Sequence, residues 1–205
     1  MTLIIIAVTV AISLLAFGEN NLMQRLLLSP YRVFKNKEWY RLITHAFVHA
    51  GFMHLFINMF VLYSFGMAVE HWLKQLQASG YIDYPVLHFF VLYFGGVVIA
   101  TLTTLKKHKD NHYYQSVGAS GAVSGFVFFC VFFDPLESLY LMAVIPIPGI
   151  VFAVAYLAYS HYMSKKEGDN INHDAHFIGA VFGFIYPLLI NPKLILHFLS
   201  SLKLM

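Results

Sequence analysis

Residues 44–58 read THAFVHAGFMHLFIN, and they run without a break into an apolar segment that continues to Leu73. His54 and Asn58 are four positions apart, so a helix through this stretch carries both side chains on one face. Imidazole and amide groups are expensive inside an apolar helix and mark it as one that works as well as spans. His45 and His49 repeat the same four-residue step just upstream. The stretch therefore reads as the entry of a membrane helix bearing a polar, functional face.

Composition outside this stretch agrees. The chain has 205 residues, 59% hydrophobic and 11% charged, with a mean hydropathy of +0.68, far from the balance of a soluble domain. Apolar runs of bilayer-crossing length recur near residues 3–17, 52–73, 85–105, 117–133, 138–160 and 175–190. They predict an all-α polytopic membrane protein, a bundle of six transmembrane helices forming one domain over residues 1–205. No Lys or Arg precedes the first run, so it reads as a retained span and not as a cleaved signal.

The formal charge of +3 is too small and too scattered for a nucleic-acid partner. Cys130 is the single cysteine, which excludes an internal disulfide and a cysteine-based zinc cluster. Between the first two spans, residues 18–51 mix Arg25, Arg32, Lys35, Lys37 and Arg41 with aromatic residues, as an element lying at the lipid interface does. Asp134-Pro135 predicts a tight turn between spans four and five. Pro146, Pro148 and Gly149 predict a kink or break inside span five. In the tail, Leu194, Phe198, Leu202 and Met205 recur at helical spacing and predict a short surface helix.

Four regions carry candidate chemistry. His54 and Asn58 are placed to donate hydrogen bonds to a developing oxyanion, or equally to link two helices. His45, His49 and His54 also admit a reading as three imidazole ligands of a metal. Gly118-Ala119-Ser120-Gly121 puts a serine at the start of span four, beside free backbone amides; small-residue runs also serve close helix packing. The segment AHFIGAVFG (residues 175–183) sets His176 above Gly179 and Gly183 on one helix face. Span four offers Gly121 and Gly125 at a matching step, so the two helices can approach closely and bring Ser120 and His176 to similar depth. A neutral imidazole within reach of a hydroxyl is what a serine requires to act as a nucleophile. Asp174 lies two residues from His176 and on another face, so it reads as a loop or cap residue and the pair as a dyad. Glu70 either pairs with Arg41 or faces solvent.

Taken together, a Trp/Arg segment, H-x3-H-x4-H-x3-N, G-x-S-G and A-H-x2-G-x3-G in this order resemble the rhomboid proteases over residues 39–183. The resemblance implies a serine endopeptidase cutting peptide bonds in or near transmembrane segments, with Ser120 as nucleophile and His176 as base and then acid. It implies an oxyanion hole from His54, Asn58 and the Ser120 amide, structural or cavity-lining roles for His45, His49, Arg41, Glu70, Gly118, Gly121, Gly179 and Gly183, and no metal or other cofactor. Its substrates would be single-span membrane proteins reached through the lipid bilayer, and span five with its following loop would gate access. The expected setting is a bacterial cytoplasmic membrane with the site opening to the extracytoplasmic side. That orientation leaves ten of the thirteen Lys and Arg residues on the outer loops, against the usual bias.

Two departures stand out. The family's adjacent Trp-Arg is interrupted as Trp39-Tyr40-Arg41, and position 124, where an aromatic stacks on the histidine in some members, is Ser124. Phe182, Tyr186 or another aromatic would have to substitute for it. The rivals to the protease reading are an inactive rhomboid-like protein that binds membrane clients and a metal-binding or transport protein.

Overall fold

The computed structural model describes residues 1–141, 144–166, 169 and 171–203. Its elements in chain order are α1 (Thr2–Gly18), α2 (Asn20–Leu26), α3 (Pro30–Lys35), α4 (Arg41–Thr44), α5 (Phe52–Ala78), α6 (Pro85–Ala100), α7 (Leu102–His108), α8 (Ser120–Phe133), β1 (Ser138–Leu141), β2 (Ile145–Pro148), α9 (Gly149–Lys166), α10 (His173–Ile190) and α11 (Leu194–Ser201). The result is an all-α bundle with one small hairpin.

Helix α8 is the axis of the bundle: every residue from Gly121 to Phe133 is buried. Lipid tails are as apolar as these side chains, so close packing and not water exclusion must hold such a helix. Glycine supplies it. A Cβ at Gly179 would collide with the backbone oxygen of Gly121, and one at Gly183 with that of Gly125, so α8 and α10 touch backbone to backbone. On the other side Phe126 meets Phe89 and Tyr93, with ring centroids 5.2 and 5.9 Å apart, and Phe133 stacks on Trp72 at 4.6 Å.

Three helices are long and apolar enough to cross a membrane among the described residues: Phe52–Ala78, Pro85–His108 (α6 continuing into α7) and His173–Ile190. Helices α1 and α8 are apolar but shorter. At 1.5 Å per residue α8 extends only about 21 Å, less than a hydrocarbon core. The last two residues of the irregular segment leading into it, Gly118 and Ala119, are buried in protein, as non-helical backbone at membrane depth must be.

Span five requires correction. Ser138–Leu141 and Ile145–Pro148 pair as two antiparallel strands, Leu139 opposite Ile147 and Tyr140 opposite Pro146, and the helix starts only at Gly149. Prolines at 146 and 148 cannot donate within a helix; two apart on a strand they fall on one side of β2, where missing N–H groups can face away from β1. They precede the helix and do not kink it. Met142 and Ala143, within the expected span, lie outside the described residues. The Asp134-Pro135 turn forms as expected, Glu137 N–H donating to the Asp134 carbonyl at 3.3 Å.

Arg41 and Glu70 do not pair. Eighteen residues of α5 separate Glu70 from the helix start, about 27 Å along the axis. Buried Arg41 ion-pairs with Glu38 and donates to the carbonyls of Gln24 (3.0 Å) and Leu27 (2.7 Å), pinning α4 to α2. Glu70 instead accepts from the Thr2 amide (2.7 Å) and hydroxyl (2.8 Å), fastening α1 to α5. The tail helix forms as α11, with Leu194 buried and Phe198 stacked on Phe132 at 5.3 Å; Met205 lies outside the described residues.

Candidate active site

Helices α5, α8 and α10 all begin at one end of the bundle, and the candidate side chains lie in their first two turns. Ser120 is the first residue of α8. The strand of chain leading to it is stitched to the interfacial segment: Leu28 bridges Ser116, and the Gly118 N–H donates to the His45 carbonyl at 2.9 Å. Gly118 has φ +109°, open to glycine but not to other residues without strain, and a Cβ there would stand 2.8 Å from His54 Cε1.

His176 sits in the first turn of α10. The Asn172 side chain caps that helix, accepting from the Ala175 N–H at 3.1 Å, and its amide donates to the Thr104 hydroxyl at 2.9 Å. This cap and the glycine contacts set the depth at which His176 meets α8. His176 Nε2 and Ser120 Oγ are 2.7 Å apart.

His54 Nδ1 accepts from the Ala50 N–H at 3.4 Å, which leaves the proton on Nε2, the atom facing Gly118. Buried Asn58 gives one amide proton to the His54 carbonyl at 2.9 Å and keeps the other. Ser120, His176, His54 and Asn58 all line one cavity of about 970 Å³. Ile57 and Val61 of α5 and Phe152 and Tyr156 of α9 line it as well.

Of the upstream histidines, His45 lines the cavity and His49 does not, and each is held by its own partner. His45 Nδ1 donates to the Arg41 carbonyl at 2.8 Å. Ser13 gives its hydroxyl proton to the Phe47 carbonyl at 2.9 Å and so accepts from His49 Nδ1–H at 3.0 Å. Burial pushes His45 down to about 4, against the pull of its carbonyl partner. Burial, with repulsion from His54 and His45, pushes His49 down to about 3. His49 lies behind His54, their rings 5.0 Å apart edge to face, and does not line the cavity. Among the described residues no three His, Cys, Asp or Glu side chains converge as a metal cluster.

Of the aromatics that could stand beside His176, neither Phe182 nor Tyr186 does. Phe182 packs on Gly95, and the Tyr186 hydroxyl bonds His88 Nδ1 at 2.9 Å. Tyr156 takes the place, its ring within 21° of parallel to that of His176 and 6.5 Å away, and its hydroxyl 2.6 Å from Ser124 Oγ. On another side the His173 ring meets His176 edge-on at 6.0 Å while its Nε2 faces Asp169 at 3.1 Å. Asp174 lies in the first turn of α10, which Asn172 caps. The Phe152/Tyr156 spacing and the position of His173 three residues before His176 were the available sequence signals for these neighbours.

A helical bundle with a serine and an imidazole in hydrogen-bond contact, both lining a partly polar cavity, defines a membrane protein with the makings of a hydrolase. Residues 36–193 match the model of the Rhomboid domain. The chain belongs to the rhomboid family and is an integral membrane protein. It is 30% identical over 164 residues to the rhomboid protein YdcA of Bacillus subtilis (strain 168), covering 77% of this chain and 70% of YdcA. It is 28% identical over 171 residues to the mitochondrial RHOMBOID-like protein 12 of Arabidopsis thaliana, covering 80% of this chain and 50% of that one. To the rhomboid protease GluP of Bacillus subtilis it is 26% identical over 174 residues, 84% of this chain but 28% of GluP.

Proposed function

We propose that this chain is an intramembrane serine endopeptidase that cleaves single-span membrane proteins in or near their transmembrane segments by a Ser120-His176 dyad. The observation that carries the reading is the 2.7 Å contact between His176 Nε2 and Ser120 Oγ inside the cavity. Ser120 Oγ attacks the scissile carbonyl carbon while His176 Nε2 takes the hydroxyl proton. The carbonyl oxygen becomes an oxyanion, met by the His54 Nε2–H, the free Asn58 amide proton and the Ser120 N–H. When the C–N bond breaks, His176 returns the proton to the leaving amine. Water, activated by the same imidazole, then hydrolyses the acyl ester and frees Ser120.

The substrate helix enters laterally between α5 and α9, where the cavity wall is apolar. We place the site at the extracytoplasmic face of a bacterial cytoplasmic membrane; the relatives named mitochondrial share the family but another membrane.

The test is cleavage of a model single-span protein in proteoliposomes by the wild type, Ser120→Ala and His176→Ala, with and without a chelator. Loss of cleavage in both variants with folding retained, and indifference to chelator, is the expected result. A folded wild type that cleaves no member of a broad substrate panel and whose Ser120 resists a fluorophosphonate would overturn the reading in favour of client binding. Activity lost only to chelator would favour a metal.

A further inference from the structure

Ser124 lies one helical turn beyond Ser120 and spends its hydroxyl on Tyr156 of the neighbouring helix at 2.6 Å. Among the described residues this is the only side-chain hydrogen bond between α8 and α9. The two helices are held very differently: α8 is buried from Gly121 onward, whereas α9 buries only Gly149, Ala153 and Ser160. Phe128 and Phe152 pack against the Tyr156 ring at 5.5 and 5.6 Å and restrict its plane. That plane lies nearly parallel to the His176 imidazole, within the separation at which offset aromatic pairs attract.

We propose that Tyr156, anchored by Ser124, is a positioning residue for His176, and that it makes the alignment of the Ser120-His176 pair depend on where α9 stands. The proposal rests on the protease reading above. An imidazole that rotates about its Cβ–Cγ bond carries Nε2 away from Ser120 Oγ. A flat ring beside one face and the His173 edge beside another restrict that rotation. Outward movement of α9 breaks the Ser124 contact and takes the ring away. A substrate that forces α9 outward therefore loses turnover, and one that slips past Tyr156 does not.

The test uses the full chain in proteoliposomes, with two readouts: the rate at which a fluorophosphonate labels Ser120, and kcat and KM on a single-span substrate. Tyr156→Leu is expected to slow labelling and kcat by about tenfold with KM little changed, as misplacement of a reacting group does. Tyr156→Phe, which keeps the ring, should restore most of the rate. Ser124→Ala should match Tyr156→Phe, and the double variant should be no slower than either, since all three remove one bond. A folded Tyr156→Leu that labels at the wild-type rate, or that changes KM alone, overturns the proposal. Should Tyr156→Leu fail to fold, the Ser124→Ala and Tyr156→Phe cycle decides: effects that multiply overturn it, effects that coincide support it. A wild type whose Ser120 is not labelled at all would instead remove the protease reading, and this proposal with it.

Discussion

At residue 118 the backbone φ of +109° and the nearness of His54 impose the same demand. Any Cβ strains the main chain, and this one would also press on His54 Cε1 at 2.8 Å, moving a ring that lines the cavity. Gly118→Ala is therefore expected to slow fluorophosphonate labelling of Ser120 by about tenfold or more. The accompanying loss of stability should be about 1–2 kcal/mol, the cost of one residue held in a disfavoured conformation. Labelling rate and thermal unfolding, measured side by side, separate the two effects; an alanine variant that labels normally would mean His54 yields without consequence. Sequence made the Ser120-His176 encounter legible because glycines at matching steps on two helices fix both approach and depth. It left Tyr156 illegible. Ser124 stood out as a departure, but its partner depends on where α9 begins, and a span of 138–160 puts Tyr156 near a helix end instead of level with Ser124.

That misplacement arises at the scale of elements. Apolar residues with prolines two apart fit a strand as well as an interrupted helix, and hydropathy alone cannot separate the two. The helix starts that position the site are better determined, because each has a local cause. Asn172 closes the first turn of α10 and reaches Thr104 on α7, so Asn172→Ala should destabilise the bundle by about 1 kcal/mol through the lost cap. Gly183→Ala should do far more damage, since its methyl group would enter the backbone of α8 at Gly125 and neither helix can yield without separating. Unfolding midpoints in one detergent test the order; a Gly183→Ala protein more stable than Asn172→Ala would show that the α8–α10 contact is looser than it looks. The failed Arg41-Glu70 pair has an equally simple origin, for sequence shows two charges without showing that Glu70 stands about 27 Å along α5 from its start, where it meets Thr2 instead.

Across the whole molecule, the buried histidines connect elements far apart in sequence. His49 joins Ser13 of α1 to the segment before α5 and backs His54, while His45 closes onto Arg41, which itself gathers α2 and α4. Both are held neutral by burial, at about 4 for His45 and about 3 for His49, whereas an exposed histidine in the unfolded chain titrates near 6.5. Between those values the unfolded state binds more protons than the folded one, so stability rises with pH and is progressively lost on acidification from about 6.5 toward about 4. The unfolding midpoint in detergent is expected to drop over that window by roughly 2 to 4 °C for each kcal/mol lost. His49→Asn keeps a donor for Ser13 but has no titrating ring, so its midpoint should fall less steeply over the same window even if it starts lower. Equal slopes for the two proteins would mean that His49 takes up its proton without opening the contact between α1 and the site.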